Sequence, residues 1–298
     1  MPNILITGTT GFLGKELVNQ LYSSSIFKLN RKVGDFHYDL SNSIPSFQNS
    51  FDLVIHNAGK AHIVPNVNEE KEEFFKVNVV GTKNLLNGLE TSVPKQFVFI
   101  SSVAVYGLSH GVLINEDFPL DAKDPYGLSK IQAENLVQEW CKQHNVVCTI
   151  LRLPLLVGQN PPGNLGAMIR GIDKGYYFNI VGGKAKKSMV LAEDVAKAIL
   201  KVSSIGGIYN LTDGYHPTFS EISNCISSQL GKGKPLNMPL WLAKIFAKFG
   251  DFLGSNAPLN TNKLNKITSD LTFDDSKARE AFGWKPTPVL NGFNLKNK

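Results

Sequence analysis

A chain of 298 residues, 42% hydrophobic and 19% charged, holds enough apolar material for one large or two coupled globular units, which excludes a disordered or fibrous protein. The 31 basic residues exceed the 25 acidic ones by six and are scattered, with Lys184-Ala185-Lys186-Lys187 the one compact cluster; this fits a small anionic ligand and argues against nucleic acid. Cys141, Cys148 and Cys225 have no metal spacing and read as reduced packing residues of a cytoplasmic protein, with no signal peptide, no membrane span and no metal site expected.

Ile4-Leu5-Ile6 is a short apolar run of the kind a strand buried on both faces requires, and it leads into Thr7-Gly8-Thr9-Thr10-Gly11-Phe12-Leu13-Gly14. An amphipathic helix through Leu17, Val18 and Leu21 follows. Between strand and helix, Gly8, Gly11 and Gly14 permit a tight turn, close approach to a pyrophosphate and close helix packing, so Thr10, Phe12 and Leu13 join them as candidate cofactor contacts. The second strand, Ile26–Leu29, ends in Asn30-Arg31, where an NAD site usually carries an acid for the adenosine ribose. Arg31 can instead meet a 2′-phosphate, which favours NADP(H) and leaves NAD(H) possible. Phe36-His37-Tyr38-Asp39-Leu40 reads as the third strand and its exit, too near the second for a full helix between them, with Asp39 and Leu40 toward the adenine.

Leu53-Val54-Ile55 is the fourth strand, and at its carboxyl end, where open α/β sheets bind ligands, Asn57, Ala58, Gly59 and Lys60 are further cofactor candidates. His56 and His62 read as ordinary hydrogen-bonded residues. The next helix, with Phe74, Phe75, Val77, Leu85 and Leu89, carries Asn78 and then Gly81. Phe97-Val98-Phe99-Ile100 delivers Ser101 and Ser102 to the same sheet edge. Further on, Asp124 suits an N-cap and Pro125 the first helical position, so Tyr126 and Lys130 share one face of the helix. A phenol that exchanges protons near neutral pH needs a positive neighbour, which Lys130 is spaced to supply.

That helix continues with Ala133, Leu136, Val137, Trp140 and Cys141 as its docking stripe, and Val146–Leu151 is the sixth strand. The turn-rich Gln159–Asn164 opens a substrate lobe. Met189–Leu191 with the helix from Ala192, and Ile208–Leu211, return to the first unit. The expected division is therefore 1–157 plus 187–211 for NADP(H), and 158–186 plus 212–298 for substrate. Thr218 and Glu221 make a capping box. Leu240–Phe249 combines aromatic and basic residues, which suits a membrane surface, but the preferred reading is an apolar helix packed inside the smaller lobe.

Gly8–Gly14, Asp39-Leu40, Asn78-Val79-Val80-Gly81-Thr82, Ser101-Ser102 before Val105-Tyr106-Gly107, Tyr126 with Lys130, and Phe282-Gly283-Trp284-Lys285-Pro286 together resemble the extended short-chain dehydrogenase/reductase family, in its NAD(P)-dependent nucleotide-sugar epimerase, dehydratase and reductase group. The resemblance runs nearly end to end. It implies an α/β fold, a doubly wound parallel Rossmann-type sheet with a smaller C-terminal substrate lobe. By position it gives Ser102 a hydrogen bond to the reacting oxygen, Tyr126 its proton, and Lys130 both the tuning of the phenol and the nicotinamide ribose. Leu153 would border the cofactor, while Asn164 and Lys187 would meet the substrate, Lys187 at the nucleotide diphosphate where relatives often place arginine. The group's 4,6-dehydratases have Asp-Glu after the catalytic Ser or Thr; Val103 and Ala104 stand here and cannot move protons.

The stretches around His56–His62 and Arg152-Leu153-Pro154-Leu155 look more like bacterial 4-reductases of 4-keto-6-deoxy-N-acetylhexosamine nucleotides, since epimerases more often show Asn in place of Leu155. The resemblance thus implies NAD(P)H-dependent reduction of the C4 carbonyl of a nucleotide-linked 4-keto sugar, a UDP-4-keto-6-deoxy-N-acetylhexosamine, for surface polysaccharide synthesis. A 4-epimerase with tightly bound NAD is the alternative, and a non-catalytic NADP(H)-binding sensor or scaffold a weaker one. A homodimer is possible.

Overall fold

The computed structural model describes residues 1–61, 67–253, 257 and 259–295; His62 lies outside them. From the N-terminus come β1 (Asn3–Thr7), α1 (Phe12–Gln20), β2 (Ser25–Asn30), β3 (Phe36–His37) and β4 (Leu53–His56). Next, α2 (Asn68–Phe75) and α3 (Gly81–Leu89) flank a π turn at Lys76–Val80, before β5 (Gln96–Ser102). A 3₁₀ turn over Val103–Tyr106 and β6 (Gly111–Ile114) precede α4 (Pro125–Gln143), β7 (Val147–Leu153) and β8 (Leu155–Val157). The chain continues through α5 (Gly163–Asp173), β9 (Phe178–Ile180), β10 (Met189–Leu191), α6 (Ala192–Ser203), β11 (Gly207–Asn210), α7 (Phe219–Leu230) and β12 (Leu236–Met238). It closes with α8 (Leu240–Leu253), α9 (Thr261–Thr268), β13 (Leu271–Phe273), α10 (Ser276–Phe282) and α11 (Val289–Gly292).

Seven parallel strands form the main sheet in the order β3-β2-β1-β4-β5-β7-β11, a doubly wound arrangement whose direction reverses between β1 and β4. The apolar runs alternate between two cores. Ile4, Ile6, Leu53, Ile55, Val98, Ile100 and Leu151 pack under α1, α6 and α10. Leu5, Val54, Phe97, Phe99 and Ile150 pack under α3 and α4. Because both faces are covered, the strands read as unbroken apolar stretches.

Two differences from the sequence reading have local causes. β3 stops at His37, because both Asp39 oxygens accept hydrogen bonds from Ser41 and Asn42 and start a turn. As the short spacing predicts, no helix joins β2 to β3. Lys28 and Asp35 close that connection with a pair of hydrogen bonds at 2.8 and 2.9 Å. Met189–Leu191 does return, but as a partner for β8 in a separate two-stranded pair, while β11 completes the main sheet against β7.

The third difference reverses an expectation. α8 does not bury its bulky face: Ala243, Ala247 and Gly250 point inward, and Trp241, Phe249 and Phe252 point outward. A Cβ on Gly250 would lie 1.8 Å from the Leu259 carbonyl oxygen, so only a bare α-carbon permits this approach. Among the described residues no helix is long and apolar enough to cross a membrane.

Candidate active site

Gly8 leaves β1 with φ +70°, and a Cβ there would come within 2.8 Å of the Ala58 backbone; one on Gly14 would come within 2.1 Å of the Gly8 carbonyl oxygen. The loop is therefore closed around bare main chain. Gly11 is the N-cap of α1 and offers no side-chain cap, so the amides of the first turn keep their hydrogen-bonding capacity for a ligand. Asn57 donates its amide to the Gly8 carbonyl at 3.0 Å and holds the β4 exit against the loop. Phe12 lies against Gly158.

At the end of β2, the Asn30 amide donates to Thr9 Oγ1 at 2.7 Å and to the Val33 carbonyl at 2.8 Å. Its own oxygen is buried and has no partner among the described residues. A buried acceptor left unpaired is costly, and a ribose hydroxyl would satisfy it. Arg31 beside it is exposed, and its charge reaches Asp39. Hydrogen bonds from Ser41 hold the Asp39 carboxyl below the usual carboxylate range. The bare-glycine turn, the uncapped helix end and the orphaned Asn30 oxygen fit a dinucleotide across the β1–β4 reversal.

His56 is a buried structural relay. The Ala58 amide donates to Thr7 Oγ1, Thr7 Oγ1 stands 2.8 Å from His56 Nδ1, and His56 Nε2 stands 2.9 Å from Thr82 Oγ1. Thr82 donates onward to the Asn78 carbonyl, so the chain closes with the imidazole proton on Nε2. Burial, reinforced by the charge of Lys130, pushes the imidazole down to about 3, which keeps it neutral.

Asn78 lies on the π turn, a break in regular helix that often accompanies functional sites. Its oxygen accepts from the Lys60 amide at 2.7 Å, and its two amide hydrogens go to the Lys60 carbonyl and to Ser129 Oγ. Both donors are thus engaged, and Asn78, a cofactor candidate from its place in the sequence, pins the Gly59-Lys60 strand exit onto α4. The Lys60 ammonium pairs with Glu73. Leu13, Leu40 and Leu153 likewise place their side chains in the two cores, leaving only main chain for a ligand. Thr10 is exposed in the turn.

At the carboxyl end of β5 the Ser102 hydroxyl accepts from the Ala104 amide at 3.2 Å and lies beside the Tyr126 phenol. Asp124 caps α4 through the Gly127 amide, with Pro125 next, so Tyr126 stands in the first turn beside Phe74. Burial pushes the phenol up, opposed by the neighbouring Ser102 hydroxyl and aided by Asp124. The expected lowering by Lys130 is not what this arrangement gives. One turn on, the Lys130 ammonium donates to the Ile100 carbonyl at 2.8 Å and lies 4.7 Å from the centre of the Phe99 ring. A Cβ on Gly59 would be 3.4 Å from that ammonium, so Gly59 keeps the approach to Lys130 open. Burial lowers Lys130 to about 8, against the opposing charge of Glu134.

Glu134, absent from the sequence reading, continues the Tyr126 and Lys130 face by one more turn. It is fully buried, accepts from Ser101 Oγ, and binds Arg152 through both oxygens at 3.2 and 2.8 Å. Arg152 also donates to Tyr106, whose hydroxyl donates to Asn210. This network fixes β5, α4 and β7 beneath Ser102. The signals were a charged residue four beyond Lys130 and an arginine inside an apolar strand.

Asn164 is exposed in the first turn of α5. Lys187 is half-buried, bridged to Leu271 and hydrogen-bonded through its amide to Pro217; burial lowers it to about 8, with Asp270 opposing and Lys266 reinforcing. Among the described residues neither shares a hydrogen bond or ion pair with Ser102, Tyr126 or Lys130.

Comparison with known proteins bears on the family and the fold. The chain is 28% identical to a UDP-glucose 4-epimerase of Vibrio cholerae, covering 97% of this chain and 93% of that one. It is 26% identical to an N-acetyl-alpha-D-glucosaminyl-diphospho-ditrans,octacis-undecaprenol 4-epimerase of Escherichia coli O157:H7, covering 98% and 93%. The fold matches that of RMD from Pseudomonas aeruginosa complexed with NADPH, with a TM-score of 0.72 at 22% identity over 96% and 94% of the two chains. Residues 4–211 match the model of the NAD dependent epimerase/dehydratase family, and the chain belongs to that family of extended short-chain dehydrogenases/reductases.

Proposed function

We propose that this enzyme reduces the C4 carbonyl of a nucleotide-linked 4-keto sugar, with NADP(H) preferred. The observation that carries the reading is the state of Tyr126, a phenol held protonated by burial and set beside Ser102, which the aprotic Val103 and Ala104 follow directly in sequence. A protonated phenol is the acid that reduction needs; oxidation would begin from the phenolate. Gly8, Gly11 and the first turn of α1 would hold the cofactor pyrophosphate, Asn30 and Arg31 the adenosine ribose and its phosphate, and Lys130 the nicotinamide ribose. When bound, the reduced nicotinamide supplies hydride.

Tyr126 gives its proton to the carbonyl oxygen as that oxygen becomes a hydroxyl, and Ser102 donates a hydrogen bond to the same atom. Both donors stabilise a charge that is larger in the transition state than in the ground state. Once the proton has left, the Lys130 charge favours the phenolate that remains, and solvent returns the proton. Residues 158–186 and 212–298, apart from α10 and Trp284 on the main-sheet core, would form the substrate side, with Lys187 as a point charge for the diphosphate. A 4-epimerase is the second reading, favoured by the names of the two relatives.

Purified protein, NADPH or NADH, and a panel of nucleotide 4-keto sugars, followed at the nicotinamide absorbance, test the proposal. Stoichiometric NADPH consumption with a new C4 hydroxyl is expected, and Arg31→Ala should weaken NADPH more than NADH. Tightly bound nicotinamide with C4 inversion and no net NADPH consumption would replace reduction by epimerisation. Cofactor binding without turnover on any sugar would leave a sensor or scaffold.

A further inference from the structure

The outward face of α8 has no role in the reaction above. Trp241, Ile245, Phe246, Phe249, Phe252 and Leu253 are exposed by 44 to 90%. With helical spacing and the buried Ala243, Ala247 and Gly250 as one pole, Trp241, Ile245 and Phe252 fall at the opposite pole, with Phe249 beside them. Lys244 and Lys248 flank this strip and have no acidic partner among the described residues. The contact of Gly250 with Leu259 fixes the rotation of the helix, so the rings cannot turn inward without a main-chain clash.

Charge identifies what this face meets. Residues 232–266 hold six lysines and one aspartate, which is five of the six net positive charges of the whole chain. Lys232 pairs with Asp173 at 3.5 Å, and Asp251 accepts from Thr261, so the remaining excess is concentrated around α8 and α9. Two copies joined through this face would set like charge against like, whereas an anionic surface complements it. Trp and Phe on one side with lysines at the border is the composition of a helix that lies in a lipid interface. At 14 residues α8 is about 21 Å long, too short to span and suited to lying flat.

We propose that α8 docks this protein on an anionic lipid bilayer, with Trp241, Ile245, Phe249 and Phe252 entering the head-group and acyl boundary and Lys244 and Lys248 facing lipid phosphates. This stands whether or not the proposed reduction holds. Trp140 and Trp284 are buried, so Trp241 is the tryptophan whose emission reports the surroundings of α8.

The full chain is mixed with vesicles of phosphatidylcholine alone or phosphatidylcholine with phosphatidylglycerol, and binding is read by co-sedimentation and tryptophan emission. The expected result is a blue shift and co-sedimentation with the anionic vesicles, weakened by salt. Lys244→Ala with Lys248→Ala should weaken partition by about thirty-fold, and Phe249→Ser with Phe252→Ser by roughly a hundred-fold or more. Both double variants should keep the wild-type melting temperature, and Trp241→Phe should remove the emission shift. The proposal is overturned if the folded protein stays in the supernatant with both vesicles, or if the double variants bind as the wild type does. A concentration-dependent dimer that Phe249→Ser with Phe252→Ser dissociates, without vesicle binding, would instead make a second copy the occupant.

Discussion

In the loop between β1 and α1, Gly8 and Gly14 bring main chain against main chain and leave polar atoms facing a cleft, with the Asn30 oxygen unpaired. In α8, Ala243, Ala247 and Gly250 bring a helix against the backbone at Leu259 and leave aromatic rings facing water. The same device, a missing side chain, fixes a geometry in both places. The surface it leaves available differs: hydrogen-bonding groups in one case, apolar area in the other. Each is costly in the isolated chain and is relieved by a different partner, a nucleotide or a lipid surface.

The cleft side of this contrast breaks most severely at Tyr126. Tyr126→Phe keeps the ring against Phe74 and removes the proton and the hydroxyl that lies beside Ser102. Turnover should fall by roughly 10²–10⁴-fold, with nicotinamide affinity nearly unchanged in a fluorescence titration. An equal loss in affinity and rate would mean that the phenol binds cofactor and does not serve as the acid.

Lys130 gives the next largest effect, and its sign is unusual. Burial lowers the ammonium from the ordinary 10.5 to about 8, so below pH 8 the fold carries a buried charge at full cost. Between pH 8 and 10.5 the folded protein releases the proton while the unfolded chain keeps it, so stability relative to Lys130→Met rises across that window. The whole change is about 3 kcal/mol. Turnover, which needs the charged form, should fall over the same alkaline range. Chemical denaturation of ligand-free protein and of Lys130→Met from pH 7 to 11 measures the first, and a pH–rate profile the second. Parallel stability curves for the two proteins would rule out the buried charge.

Much of the cleft was legible because its determinants are local in sequence. β1, β4, β5 and β7 are buried on both faces and read as apolar runs, and Asp124-Pro125 marks the start of α4 before Tyr126. What was missed depends on pairing at a distance. β6 and β13 are four and three residues long and acquire meaning only when Leu271 meets Gly111. The Glu134–Arg152 pair requires the register that sets Ser101 beside Arg152. Asn78 was found as a residue but not as a clamp, because both ends of its amide bind the main chain of Lys60. For α8, composition gave an apolar helix, yet its rotation is decided by one contact between Gly250 and Leu259.

Gly14→Ala tests the cradle directly. The added methyl would fall 2.1 Å from the Gly8 carbonyl oxygen, which is main chain and cannot swing away. A loss of about 1–3 kcal/mol in stability is expected from overpacking, together with loss of nicotinamide binding, read by thermal melting and by titration. Retained binding at wild-type affinity would remove Gly14 from the cofactor cradle.

The smallest effect is the sharpest test of the comparison, because α8 predicts that a small residue matters and a large one does not. Gly250→Ala should destabilise by about 1–3 kcal/mol, since its methyl would meet the Leu259 carbonyl oxygen and push α8 off α9. Phe252→Ser removes a ring that is 90% exposed and should change stability by no more than about 0.5 kcal/mol. An ordinary amphipathic helix would give the opposite ranking, with glycine-to-alanine favourable through helix propensity and loss of phenylalanine costly through the core. Denaturant midpoints of the two variants decide between these orientations without ligand or membrane. If Phe252→Ser proved the more damaging change, the rings would be packing against protein, and both the inverted orientation of α8 and the lipid contact built on it would fall.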